Sequence, residues 1–270
     1  MEFLTTSQQY KYFVFENDYI SEMIKKYGYF SPTEIFFLEK YINENDNIIE
    51  IGANIGSHCI PLSKKNSKGK FFCFEPQIDV FKMLVSNITV NNCHNVIPYN
   101  YGLSQRNQTI YYNDNSNNTN RGGFQIPSNN TRGEKFLKIR SIDYFDELDN
   151  LNNLKMIKID VEGYECEVVD DLEYLIKKHS PIIFAEYNFQ TFHPLQKMIK
   201  NMDYDVFYFN TSCNQYDELI GVENSDIRHC DVNIVCFPKK LNFEIPSYLY
   251  KVGDESFPRL DKLVLFNNVK

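Results

Sequence analysis

Carboxylates at strand ends and a pair of glycines carry the chemistry legible in this sequence. Ile48-Ile49-Glu50-Ile51-Gly52-Ala53-Asn54-Ile55-Gly56-Ser57-His58 reads as a buried strand, a glycine turn and the beginning of a helix. Gly52 and Gly56 let the backbone turn sharply and approach a ligand that a Cβ would block. The helix that follows offers N–H groups without intrahelical partners. Glu50 stands near the carboxyl end of the strand, where open α/β sheets bind their ligands. Phe71-Phe72-Cys73-Phe74-Glu75-Pro76 places a second carboxylate at the end of the next strand, 23 residues beyond Gly52. At that spacing an acidic side chain reaches the hydroxyls of a ribose.

The kind of nucleoside follows from the turn. Gly-x-x-x-Gly lacks the third glycine of a pyrophosphate-binding turn, and Glu50 would repel a phosphate but attract an amino-acid ammonium. Both points favour S-adenosylmethionine over NAD. A later strand ends in Met156-Ile157-Lys158-Ile159-Asp160-Val161-Glu162-Gly163-Tyr164-Glu165, and strand alternation sets Lys158, Asp160 and Glu162 on one side. Asp160 ends a buried strand, where a carboxylate without a partner is costly. Phe184-Ala185-Glu186 ends another strand. Asp160, Glu162, Glu186 and His58 are therefore the candidate catalysts, with Asp160 also beside the cofactor. A divalent cation held by Asp160, Glu162 and Glu186 is conceivable, since hard oxygen ligands suit magnesium or calcium, but no metal is favoured.

Glu50–Gly56, Phe74-Glu75-Pro76 and Lys158–Glu165 together resemble the three signature motifs of the FkbM-type methyltransferases, over roughly residues 46–190. These are class I S-adenosylmethionine-dependent enzymes. The resemblance implies a doubly wound, mostly parallel, Rossmann-like sheet of seven strands with one antiparallel member. It implies methyl transfer onto a hydroxyl oxygen. It also implies that Gly52, Ala53, Asn54 and Gly56 line the methionine and ribose, with Glu75 and Pro76 beside the ribose. Gly102 and Leu103, in Asn100-Tyr101-Gly102-Leu103-Ser104, would lie along the adenine. Family members more often carry Asp at position 50, so Glu50 departs mildly from the pattern.

Elements able to position these residues are legible as α/β alternation. Short apolar runs at 47–51, 70–74, 95–99, 155–159, 181–185 and 205–209 alternate with amphipathic stretches such as 78–90, 165–177 and 194–201. That pattern specifies a parallel sheet covered on both faces. Residues 1–45 form an N-terminal helical extension after a short strand at 12–15. In it, Ser31-Pro32-Thr33-Glu34 reads as a helix start, with Ser31 the cap and Glu34 three residues on. The methyltransferase domain spans 46–240, with possible strands at 108–112 and 135–140 and a further strand at 233–237. Residues 113–133 form an Asn/Gly/Ser-rich loop or lid, and 241–270 a C-terminal tail.

Composition narrows the partners. With 43% hydrophobic and 24% charged residues the chain is globular. A net charge of −8 disfavours nucleic acid as the main partner. No transmembrane run and no secretory leader are read, and the seven cysteines form no Cys-x-x-Cys pair, so a cytoplasmic, reducing location is expected, host cytoplasm if the source is a large virus. The expected acceptor is a carbohydrate or glycan hydroxyl. The alternatives are ribose 2′-O-methylation of RNA and a catalytically silent interaction protein of the same fold. Two alanines against 31 asparagines reflect AT-rich codons, yet Ala53 and Ala185 both fall beside site motifs.

Overall fold

The computed structural model describes residues 1–113, 120–125, 132–188, 190–210, 232–247 and 249–252. The chain opens with an antiparallel hairpin, β1 (Glu2–Thr5) and β2 (Lys11–Val14), followed by α1 (Tyr19–Tyr27) and α2 (Pro32–Glu39). The extension is thus half hairpin rather than helical throughout. The first strand escapes the sequence pattern because its residues are largely exposed, while Tyr12 and Val14 of β2 are buried. Asn87 of the later helix α4 fastens the hairpin, accepting from Phe13 N and donating to Phe13 O.

The core then runs β3 (Asn47–Ile51), α3 (Cys59–Ser63), β4 (Phe71–Phe74), α4 (Ile78–Val90) and β5 (Val96–Tyr99). A small second sheet follows, from β6 (Gly102–Leu103), β7 (Gln108–Tyr112) and β8 (Lys135–Arg140), in the order β6–β8–β7. After α5 (Asp146–Asp149) come β9 (Leu154–Ile159), α6 (Glu165–Asp171), α7 (Glu173–His179), β10 (Ile182–Glu186), α8 (Phe192–Asn201), β11 (Tyr204–Asn210), β12 (Val232–Pro238) and β13 (Tyr250–Lys251). One helix over 165–177 was the expectation. Instead it divides at Leu172, which lets Val168 and Val169 on one side and Leu175 and Ile176 on the other all reach the core.

The central sheet has the order β13–β11–β12–β10–β9–β3–β4–β5. From β5 to β10 all neighbours are parallel, while β12 runs antiparallel between β10 and β11. This is the seven-stranded arrangement expected, with two-residue β13 added at the edge. β13 belongs to the tail, whose residues 253–270 lie outside the described region. Side chains alternate between the sheet's two faces. Ile48, Phe71, Met156 and Phe184 pack under the extension, α3 and α4, while Ile49, Phe72, Ile157 and Ile183 pack under α5 to α8.

Candidate active site

Period-two alternation turns the face under the extension polar at the carboxyl ends of its strands. Ile48, Met156 and Val235 are core residues of that face, and two positions further toward the site end lie Glu50, Lys158 and Asn233. Pairing sets Glu50 opposite Lys158, and Glu186 opposite Asn233. Lys158 Nζ lies 3.2 Å from Asp160 Oδ2 and 3.8 Å from Glu50 Oε1. Burial alone would lower the Lys158 pKa, but Asp160, Glu50 and Glu34 outweigh it, so the ammonium stays charged. The Glu50 carboxyl is pushed up to about 7 by burial, against the pull of Lys158.

The glycine turn adopts the left-handed backbone that its sequence requires, with φ of 86° at Gly52, 50° at Asn54 and 91° at Gly56. A Cβ on Gly52 would lie 1.8 Å from the Asp160 carbonyl oxygen, so this turn packs directly on the end of β9. Asp160 N–H donates to Ile51 O at 2.9 Å, closing the same contact. Glu75 is held from two sides: Asn54 N–H donates to Oε2 at 3.1 Å and Gln77 N–H to Oε1 at 2.8 Å. Burial pushes its carboxyl up to about 7. The helix after the turn starts later than expected, beyond His58. α3 starts only at Cys59 and has Pro61, which has no N–H, in its first turn. The Asn54 amide is engaged by Glu75 and the Ile55 amide by Asn54 Oδ1. Loop amides, rather than a helix N-terminus, face this end of the site.

A cavity of about 450 Å³ opens here, a size suited to a nucleoside and a small acceptor. Gly52, Asn54, Glu75, Pro76, Gly102 and Leu103 line it, as do His58, Asp160, Glu162 and Glu186. Glu50, Ala53 and Gly56 do not. Glu50 sits beneath with Lys158 and Cys73, Ala53 is buried, and Gly56 packs against Ile60 and Leu84. An ammonium ligand role for Glu50 therefore lacks access, because the Lys158 ammonium already stands beside it.

Among the lining residues not expected from sequence are Glu34 and Asn233. Glu34 accepts from Asn233 Nδ2 at 3.0 Å and pairs through Oε2 with His58 Nε2 at 3.2 Å. In sequence Glu34 resembles half of a capping box. The Ser31 backbone is left-handed, with φ 46° and no side-chain cap bond, so Glu34 is released to the site. Burial pushes the Glu34 carboxyl up to about 7 and holds His58 well below its ordinary value, leaving a neutral imidazole. With Ser57 Oγ 3.4 Å from Nδ1 as well, both His58 nitrogens face protein groups, which suits positioning better than proton transfer with an acceptor.

Of the expected loop or lid at 113–133, residues 114–119 and 126–131 lie outside the described region. Asn120, Gly122, Gly123 and Phe124 line the cavity, and Arg121 ties this piece down: its N–H donates to Asp18 Oδ1 at 3.0 Å and its carbonyl accepts from Gln77 Nε2 at 3.1 Å.

Asp160, Glu162 and Glu186 each bring an oxygen within 4.8 Å of the others, a donor set suited to a hard cation. A second group, Glu50 with Cys59 and Cys73, is sealed beneath the cavity. Burial, then Asp160 and Glu162, push the Glu186 carboxyl up to about 9, and its buried Oε2 has no hydrogen-bond partner among the described residues.

These carboxyls give a pH dependence of known sign. Glu34, Glu50 and Glu75 sit near 7 in the folded chain against an ordinary 4.5, so the folded chain holds more protons between those values. Their stabilising contribution is full below about pH 4.5 and is lost as pH rises through 7, by up to about 1.4 kcal/mol per pH unit for each group. Thermal melts of the ligand-free chain should show a midpoint that falls from pH 5 to 8. A midpoint rising across that window would contradict the burial described here.

Strand order and cavity together define the class I methyltransferase fold. The chain belongs to the FkbM methyltransferase family: the model of the methyltransferase FkbM domain matches residues 50–206. The hexuronic acid methyltransferase AglP of Haloferax volcanii is 34% identical over 127 residues, 47% of this chain and 49% of that protein. Methyltransferase 1 of Beauveria bassiana is 24% identical over 144 residues, 47% of this chain and 58% of that protein. The chain spans about half the length of the curated relatives it matches. The O-methyltransferase TomG of Streptomyces achromogenes shares the fold, with a TM-score of 0.50 at 11% identity over 84% of this chain and 91% of that one. No helix among the described residues is long and apolar enough to cross a membrane.

Proposed function

We propose that the chain transfers a methyl group to a hydroxyl oxygen of a carbohydrate. The observation that carries this reading is the buried Oε2 of Glu186, without a hydrogen-bond partner among the described residues, on a carboxyl whose pKa is raised, at the carboxylate end of the cavity. S-adenosylmethionine, when bound, supplies an electrophilic methyl and a good leaving group. Glu75, preset by the Asn54 and Gln77 amides, receives the ribose hydroxyls, and Gly52 and Asn54 shape the turn beside it. Holding the reactants in line supplies about 7–11 kcal/mol of the barrier reduction. Glu186 takes the hydroxyl proton. Its neighbours Asp160 and Glu162 make it hold a proton strongly, whereas a positive charge in the cavity favours its ionised form. It is therefore a base when the cationic donor is present and retains the proton once the methyl has moved. The sugar assignment is supported by the similarity to the Haloferax protein and by the hydrogen-bond acceptors around the cavity.

Radiolabelled methyl donor incubated with a glycan panel should label a sugar hydroxyl. Glu186→Gln should lower turnover about 10²-fold, the effect of losing a base, with cofactor affinity kept. Glu75→Ala should weaken cofactor binding by about 1.5–3 kcal/mol, read by calorimetry. Label found on RNA and on no glycan would refute the assignment.

A further inference from the structure

Asn233 has one side of its amide committed and the other open to the cavity. Its Nδ2 donates to Glu34 Oε1 at 3.0 Å, which fixes the orientation of the amide and turns Oδ1 away from Glu34. Among the described residues no group donates to Oδ1, and Asn233 lines the cavity although it is only 6% exposed. Glu34 is braced in turn. Its Oε2 meets His58 Nε2 at 3.2 Å, Ser57 Oγ stands 3.4 Å from Nδ1, and Phe30 packs edge-on against the imidazole with ring centroids 6.0 Å apart. The brace holds whether or not Glu34 carries a proton. An ionised carboxylate accepts from Nε2–H, a protonated one donates to a bare Nε2, and the Ser57 hydroxyl suits either tautomer. On the neighbouring strand Glu186 lies directly opposite Asn233, which sets their Cβ atoms about 4.5–5.5 Å apart. Both line the cavity, so one can take a sugar hydroxyl and the other its neighbour on the ring.

We infer that Asn233 sets acceptor specificity by taking the hydroxyl next to the one methylated, so that the acceptor is a vicinal diol, and that Glu34 is a positioning residue acting through the Asn233 amide; this rests on the carbohydrate reading above. Oδ1 accepts a hydrogen bond from that neighbouring hydroxyl while Glu186 faces the reacting one. A sugar with hydrogen in its place leaves a buried carbonyl unpaired, which is costly. The amide is neutral, so the selection reads the arrangement of hydroxyls rather than charge, and hexosides and hexuronosides both satisfy it. Glu34 and Asn233 lie outside the 50–206 span of the family match, so this pair belongs to the chain beyond the matched domain.

The test uses the full chain, radiolabelled S-adenosylmethionine and the sugar labelled in the glycan panel, as its methyl glycoside, beside the analogues deoxygenated on either side of the methylated position. The wild-type chain should lose about 10–100-fold in kcat/KM with one of the two analogues. Asn233→Ala and Glu34→Ala should each weaken transfer to the parent sugar and bring that ratio close to one. Glu34→Gln should keep the ratio, because its amide oxygen still accepts from Asn233. A loss of stability alone lowers both rates together and leaves the ratio unmoved, and the two Glu34 variants give the reading without altering β12. A wild-type chain indifferent to both analogues, or variants at 233 and 34 that keep the wild-type ratio, overturns the inference and leaves sugar methylation standing. Label on RNA and on no sugar overturns both.

Discussion

Gly52→Ala should abolish cofactor binding and lower the urea midpoint sharply. Its φ of 86° costs any residue with a Cβ about 1–3 kcal/mol. The added methyl would also stand 1.8 Å from the Asp160 carbonyl oxygen, a backbone atom that cannot rotate away. Relieving that overlap pushes the ends of β3 and β9 apart and adds about 1–3 kcal/mol. The total, about 2–6 kcal/mol, is a large part of the stability of a domain. Gly163→Ala is the matched control. Its φ is 102°, but the nearest atom to an added Cβ, Asn188 Nδ2, is 3.8 Å away. Only backbone strain should appear there. Equal losses in the two variants would remove the contact with Asp160 from the explanation.

Lys158→Met should cost about 3–5 kcal/mol at pH 8, the usual loss when one partner of a buried ion pair is removed. Met fills similar space, so the loss is electrostatic: Glu50 and Asp160 remain without their cation. The same substitution should cost less at pH 5, because Glu50, already raised to about 7, takes up a proton and becomes neutral. Denaturant melts at both pH values check this. An equal loss at the two would mean that Lys158 acts by packing alone.

Much of the fold was legible because its central strands are buried on both faces and therefore largely apolar. Phe71-Phe72-Cys73-Phe74 and Leu154–Ile159 stand out from any helix, and β3 and α4 fall at the expected bounds. The meeting of Gly52, Glu75 and Asp160 in one cavity was legible for a related reason: they sit at the ends of such strands, where position along the chain nearly determines position in space. Glu50 misled because alternation, invisible at a single residue, turns it under the cavity toward Lys158. Glu34 and Asn233 escaped because their role arises only from a contact across 199 residues, and each has a blander local reading. Strand β1 escaped because its exposed residues carry no two-sided pattern.

The position of β12 has a consequence for synthesis. It follows β11 in the chain yet lies between β10 and β11, so β11 cannot join the sheet until β12 has been made. Asn233, the partner of Glu34, arrives on that same strand. A ribosome adds about 5–20 residues per second, so the 199 residues between them take roughly 10–40 s to appear. Throughout that interval the nascent chain carries α2 and the glycine turn but lacks the strand that fastens Glu34. That side of the cavity therefore forms after the glycine turn, and a ribosome stalled before residue 233 holds a chain with the turn and no finished cavity.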